Sequence, residues 1–314
     1  TDMRTIIKIL IGLLLSTAAI LALVLLSSGT SGVRQRMPPV EATSALTAEK
    51  VVGGITSASL QRHLDAFSQY PTRMAGTPGS DHAARHIRET FDRAGLQVLE
   101  QSVPITVPVT RYCEILDAAG NPVPGVSLHP FWPNVARTCT IPEPGLSGTA
   151  VIPPRGSAFF YGFKGYDPGE TIPVIRTSNA EQWIGLADAG FEAIVFFDDA
   201  SVQTQDYFMK ELDIPADIPR FYLQGDPEKL NGQSIRIRCR VDWQTCHVPQ
   251  IVGVLEPSKP PSVREGVIVT AHYDSIGCVP DAAPGAEEAS SLAGLLALAE
   301  FAAGQRGHLR RPML

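Results

Sequence analysis

Val267-Ile268-Val269-Thr270-Ala271-His272-Tyr273-Asp274-Ser275 is the stretch on which the reading of this chain turns. Its first five residues are apolar or β-branched without interruption. That continuity predicts a strand over residues 266–271 buried on both faces, as in the middle of an α/β sheet. In open α/β sheets ligands bind beyond the carboxyl ends of the strands, so His272 and Asp274 emerge where a site would be built. An imidazole in that place can ligate a metal while a nearby carboxylate fixes its tautomer and orientation. Downstream, Pro284-Gly285-Ala286-Glu287-Glu288 sets two carboxylates at the mouth of a helix predicted over residues 290–303. Helix N-termini favour anions, so Glu287 and Glu288 would equally serve the helix dipole alone.

Working upstream, Leu60, Leu64 and Phe67 fall at helical spacing behind Ser59, a candidate cap, and Pro71 should lie beyond the end of that helix. Residues 71–80 carry the turn chemistry of a fixed loop, and Ser80 or Asp81 can cap a second helix that places Ala84, Ile87 and Phe91 on one face. Gly95 stops it, and residues 96–107 alternate as a strand. Short strands, prolines and scattered aromatics then follow. Within them stands one strand–helix–strand unit: residues 171–176, then 179–189 between a cap at Asn179 and a stop at Gly190, then 192–197. Residues 218–223, 234–241 and 251–255 read as further strands, the last running into the Pro-rich turn Pro257 to Pro261. The patterning predicts an excisable β-rich module over 108–247, with 57–107 and 248–314 packed together in one α/β core.

The chain has 314 residues, 44% of them hydrophobic and 18% charged, with a net charge of −6. Such a composition excludes a disordered or fibrous chain and a general nucleic-acid-binding surface. Residues 9–26 form an apolar run whose polar members are Ser16 and Thr17. At 1.5 Å per residue it would span roughly 27 Å, the thickness of a bilayer's hydrocarbon core. Residues 1–32 are therefore expected to be a transmembrane anchor or signal segment. Residues 33–56 would be a polar stalk, leaving the large domain extracytoplasmic, or secreted if the Ser/Gly-rich tract after the run is cleaved. Of five cysteines, Cys113 with Cys139 and Cys239 with Cys246 are near enough in sequence to pair, leaving Cys278; buried free thiols fit equally. There is no CxxC motif. The chain begins with Thr and stops where residues 311–314 would begin a further strand, so a fragment is expected.

The strings VIVTAHYDS (267–275) and PGAEEASSLAGLLALAE (284–300) resemble the co-catalytic zinc aminopeptidases, the family of aminopeptidase Y and glutamate carboxypeptidase. YPTRMAGTPGSDHAARHIRETFDRAGLQV (70–98) is similar to that family's N-terminal Arg-x-x-Gly-Thr-x-Gly segment and helix. GETIPVIRTSNAEQWIGLADAGFEAIVFF (169–197) and DIPRFYLQGDPEKL (217–230) resemble a protease-associated insertion. The resemblance, over residues 57–314, implies a mixed-sheet, three-layer α/β peptidase core and two-zinc hydrolysis of N-terminal peptide bonds. It makes His272 a zinc ligand, Asp274 the carboxylate that orients it, and Glu288, where the family has Asp, the bridging ligand, with Glu287 as an alternative. Ala289 and Leu292 also depart from the family pattern, and its remaining ligands and catalytic glutamates would lie beyond Leu314. The other six histidines match no ligand position, and Asp198, Asp199 and Asp281 read as solvated loop acids. A non-catalytic relative, similar to the transferrin receptor, is the rival that the resemblance implies.

Overall fold

The computed structural model describes residues 48–134, 136–154, 162–177, 183–198, 215–259 and 265–314. The apolar run at 9–26, the Asn179 cap and Asp199 lie outside these. Among the described residues no helix is long and apolar enough to cross a membrane.

Helix α1 (Ala48–Gly54) precedes α2 (Ser57–Phe67), so part of the expected stalk is helical. The reason is packing: Gly54 offers no Cβ where the Phe301 ring lies against it. Helix α2 is capped by Thr56 rather than Ser59. The Thr56 hydroxyl oxygen accepts from the Ser59 amide at 3.1 Å, which makes Ser59 the third helical residue. Helix α3 (Pro78–Arg93) likewise starts one turn earlier than expected, with Thr77 as cap and Pro78 in the first turn, where its missing N–H costs nothing. Gly95, at φ +72°, closes it.

Seven strands make one mixed sheet in the order β1-β7-β3-β4-β5-β6-β2. They are β1 (Gln97–Asp117), β2 (Val126–Pro130), β3 (Leu146–Val151), β4 (Thr171–Arg176), β5 (Ile194–Phe197), β6 (Arg220–Gly225) and β7 (Ser234–Val254). β3 to β6 pair in parallel, and β4 and β5 flank the short helix α4 (Trp183–Asp188). β1 and β7 pair antiparallel from Gln97↔Val254 to Asp117↔Ile235. The two strands expected at 234–241 and 251–255 are thus one continuous strand. The polar residues between them are exposed on a two-stranded ribbon and need no turn.

This ribbon joins two apolar clusters. One lies around the parallel strands, with Trp183, Phe196, Phe221, Ile237 and Cys239 in its interior. The other joins Phe67, Ile87, Phe91 and Leu96 to Leu255, Leu292 and Leu296, the last two from α5 (Ala286–Gly304). Each of these large side chains contributes roughly 2–3 kcal/mol through removal from water.

Residues 266–271 are not the buried strand that their composition predicts. Val267 is 44% and Ile268 70% exposed. Among the described residues the segment's backbone pairs with 312–314: Val267 N donates to Pro312 O at 2.9 Å and Val269 N to Leu314 O at 2.8 Å. A run of Val and Ile is buried on both faces only when strands lie on both edges and elements cover both faces; here one edge is paired and an apolar cavity of about 400 Å3 opens beside it. The cysteines are also arranged differently from the local pairs considered above. All five are free thiols, Cys113 lies opposite Cys239, and Cys246 lies opposite Ile105.

Candidate functional site

The loop after residue 271 is anchored before its polar residues are presented. Tyr273 donates its phenol to Pro249 O of β7 at 2.8 Å, and burial raises its pKa. Ser275 is buried, donates to Ala283 O at 2.5 Å, and its hydroxyl accepts from the Arg73 amide at 3.0 Å, while the Ser275 amide donates to Arg73 O at 3.2 Å. Arg73 therefore clasps the loop by its backbone.

Its side chain does more. Arg73 is 2% exposed, and its guanidinium donates to Tyr273 O at 3.3 Å, Phe67 O at 3.4 Å, Gly285 O at 2.8 Å and Pro284 O. Its planar fork of five N–H donors suits such a convergence of carbonyls. Burial lowers its pKa, and Glu288 and then Asp274 oppose that shift, so both carboxylates act on the guanidinium. Gly285 completes the junction at φ +60°: a Cβ there would meet Ser275 Cβ at 2.5 Å, Glu288 Oε2 at 2.9 Å and Arg73 Nη2 at 3.0 Å. Only a residue without a side chain fits that conformation and that space.

Around this junction stand the residues singled out by sequence. His272 is 88% exposed at its side chain and Asp274 45%, with Nδ1 and Oδ1 4.0 Å apart. The two side chains stand side by side at the limit of contact. Glu287 and Glu288 occupy the first turn of α5, Glu287 exposed and Glu288 half-buried. Catalytic zinc uses three protein ligands and structural zinc four. Among the described residues no three His, Cys, Asp or Glu side chains are grouped to hold a metal ion. His272, Asp274, Glu287 and Glu288 by themselves do not fit a zinc site.

Two features escaped the sequence. Arg73 stood in the quoted Arg-x-x-Gly segment without a role, and nothing local marks an arginine as buried. The second is a histidine pair away from the junction. His63 Nδ1 lies 2.9 Å from His86 Nε2, and Glu300, itself bonded to Arg62 at 2.6 Å, lies 3.5 Å from His63 Nε2. Burial lowers the pKa of both rings. Asp198 is not simply solvated either: it accepts from Thr177 at 3.2 Å and from Tyr222 at 2.9 Å.

No family model matches the chain, and no curated protein matches it. Solved structures do. BSAP, a zinc aminopeptidase from Bacillus subtilis, matches 77% of this chain and 57% of its own length at 18% identity with a TM-score of 0.50. A peptidase M28 precursor from Shewanella amazonensis matches 84% of this chain and 64% of its own length at 15% identity, TM-score 0.51. The chain spans about three-fifths of the length of these two structures. Their likeness establishes the fold: an α/β chain with a seven-stranded mixed sheet, distantly similar in structure to zinc aminopeptidases.

Proposed function

We propose that the protein is a peptide hydrolase of the zinc aminopeptidase type, acting on N-terminal or small-peptide amide bonds. Residues 57–107 and 248–314 would belong to its catalytic core, and 108–247 would form a protease-associated module. The observation that carries this reading is the convergence at Arg73: one buried guanidinium ties the His272–Ser275 loop to the mouth of α5 and feels both Asp274 and Glu288. In this reading His272 and Glu288 form one wall of a two-zinc site, Asp274 orients His272, and Glu287 is the alternative carboxylate. The other ligands come from residues outside those described. The apolar run at 9–26 anchors the protein in a membrane, with the large part extracytoplasmic.

The test is zinc content and hydrolysis of an aminoacyl p-nitroanilide by the protein at its natural full length. Stoichiometric zinc and turnover, both lost in His272→Ala, are expected. A folded protein that takes up no zinc and shows no turnover would sink the proposal. It would favour the second reading, a non-catalytic binding ectodomain, for which Glu288 in place of Asp and the open setting of His272 already speak.

A further inference from the structure

Cys113 and Cys239 are partners in the β1–β7 ladder, and the backbone identifies the kind of pair they make. Cys239 O accepts from Ile141 N at 2.9 Å, so its peptide groups point away from β1. Two residues along, Ile237 pairs with Leu146 of β3, while its β1 partner Ile115 accepts through its carbonyl from Val123 N at 3.1 Å. Ile115↔Ile237 is thus a pair without mutual backbone hydrogen bonds, and Cys113↔Cys239, two positions on, is another. Such pairs hold their Cα atoms about 4.5 Å apart with side chains close on one face. Disulfides require about 4.4–6.8 Å. The Cys239 thiol lies near enough to help burial raise the pKa of Cys113. Cys239 is fully buried, whereas Cys113 lines a cavity of about 390 Å3 together with Glu114, Val126, His129 and Asp281. Cys139, a buried thiol of the same apolar cluster, donates to Arg220 O at 3.1 Å.

We propose that Cys113 and Cys239 form a disulfide across β1 and β7 when the protein meets an external disulfide such as oxidised glutathione. Cys113, which opens on the cavity, gives its proton to solvent. Its thiolate attacks one sulfur of the external disulfide, making a mixed disulfide and releasing one glutathione thiolate. Cys239 then loses its proton and attacks the Cys113 sulfur; the protein S–S bond forms and the second glutathione leaves as thiolate. Two protein thiols are oxidised by two electrons, and one disulfide is reduced to two thiols. Burial raises the pKa of Cys113, which keeps thiolate scarce and makes the exchange slow in the folded protein.

The experiment incubates the purified chain with oxidised glutathione, blocks the remaining thiols, denatures the protein and maps its peptides by mass without reduction. The thiol count should fall from five to three, with Cys113 joined to Cys239. The bond should persist in Cys139→Ser, vanish in Cys113→Ser, and raise the melting temperature reversibly on addition and removal of reductant. Five thiols surviving prolonged oxidation, or Cys239 joined to Cys139, would overturn the proposal. The wild-type map decides the matter even if a variant fails to fold.

Discussion

Arg73 donates to the carbonyl of Gly285 at 2.8 Å, across 212 residues of chain. The bond joins the loop before α3 to the turn that opens α5, and the same guanidinium reaches back to Tyr273 O at 3.3 Å. Hydrogen bonds to a buried cation thus set the relative positions of the His272–Asp274 loop and the Glu287–Glu288 turn.

Arg73→Lys keeps the charge but loses the fork, leaving carbonyls of Phe67, Pro284 and Gly285 short of a donor. The expected loss is at least about 4 kcal/mol of folding stability, since charge-assisted hydrogen bonds are worth about 1.5–3 kcal/mol each and the ammonium keeps one of the four. Urea denaturation with an unchanged m-value checks it. A loss below about 0.5 kcal/mol would mean that the junction is held by other contacts.

Gly285→Ala should also destabilise, by roughly 2–4 kcal/mol, because the left-handed backbone at φ +60° penalises a Cβ and Ser275 Cβ would lie 2.5 Å from it. Gly294→Ala, on the same helix, meets nothing within 4 Å and should be neutral or stabilising. Equal melting temperatures for the two variants would refute the tight junction.

The histidine pair makes stability depend on pH. His63 and His86 have pKa values below 6.5 in the folded protein, chiefly through burial, with Glu300 opposing the shift at His63 and the His63 ring adding to it at His86. The unfolded chain binds these protons more readily, so the stabilisation is complete above about pH 6.5 and is lost as pH falls through the depressed folded values. Thermal melts at pH 7.5 and 5.5 should differ by a few degrees, and His86→Gln should reduce that difference. An undiminished difference in the variant would assign the pH dependence to other groups.

Tyr273→Phe should cost about 1 kcal/mol, because Pro249 O loses its donor in a partly buried place. The measurement is the urea midpoint. No change would show that water replaces the phenol.

Much of this arrangement was legible in the residues themselves. The apolar faces of α2 and α3, the β4–α4–β5 unit and the carboxylates in the first turn of α5 all follow from short-range pattern. The exposed course of 266–271 was not legible, because a Val/Ile run states a preference for burial and its neighbours decide whether burial is met. Arg73 escaped for the opposite reason: arginines are usually exposed, and its four carbonyl partners come from three separate segments. The Cys113↔Cys239 match depends on the pairing of two 21-residue strands, which local spacing does not report.

The most direct test of the proposed half-site is calorimetric titration of the 314-residue chain with zinc at neutral pH, alongside His272→Ala. In the proposed half-site His272 and Glu288 would be the two ligands and Asp274 would orient the imidazole, so zinc should bind more weakly than about 10 µM, and more weakly still in the variant. Submicromolar binding that disappears in His272→Ala would contradict the account, because the ligand set would then be complete within these residues.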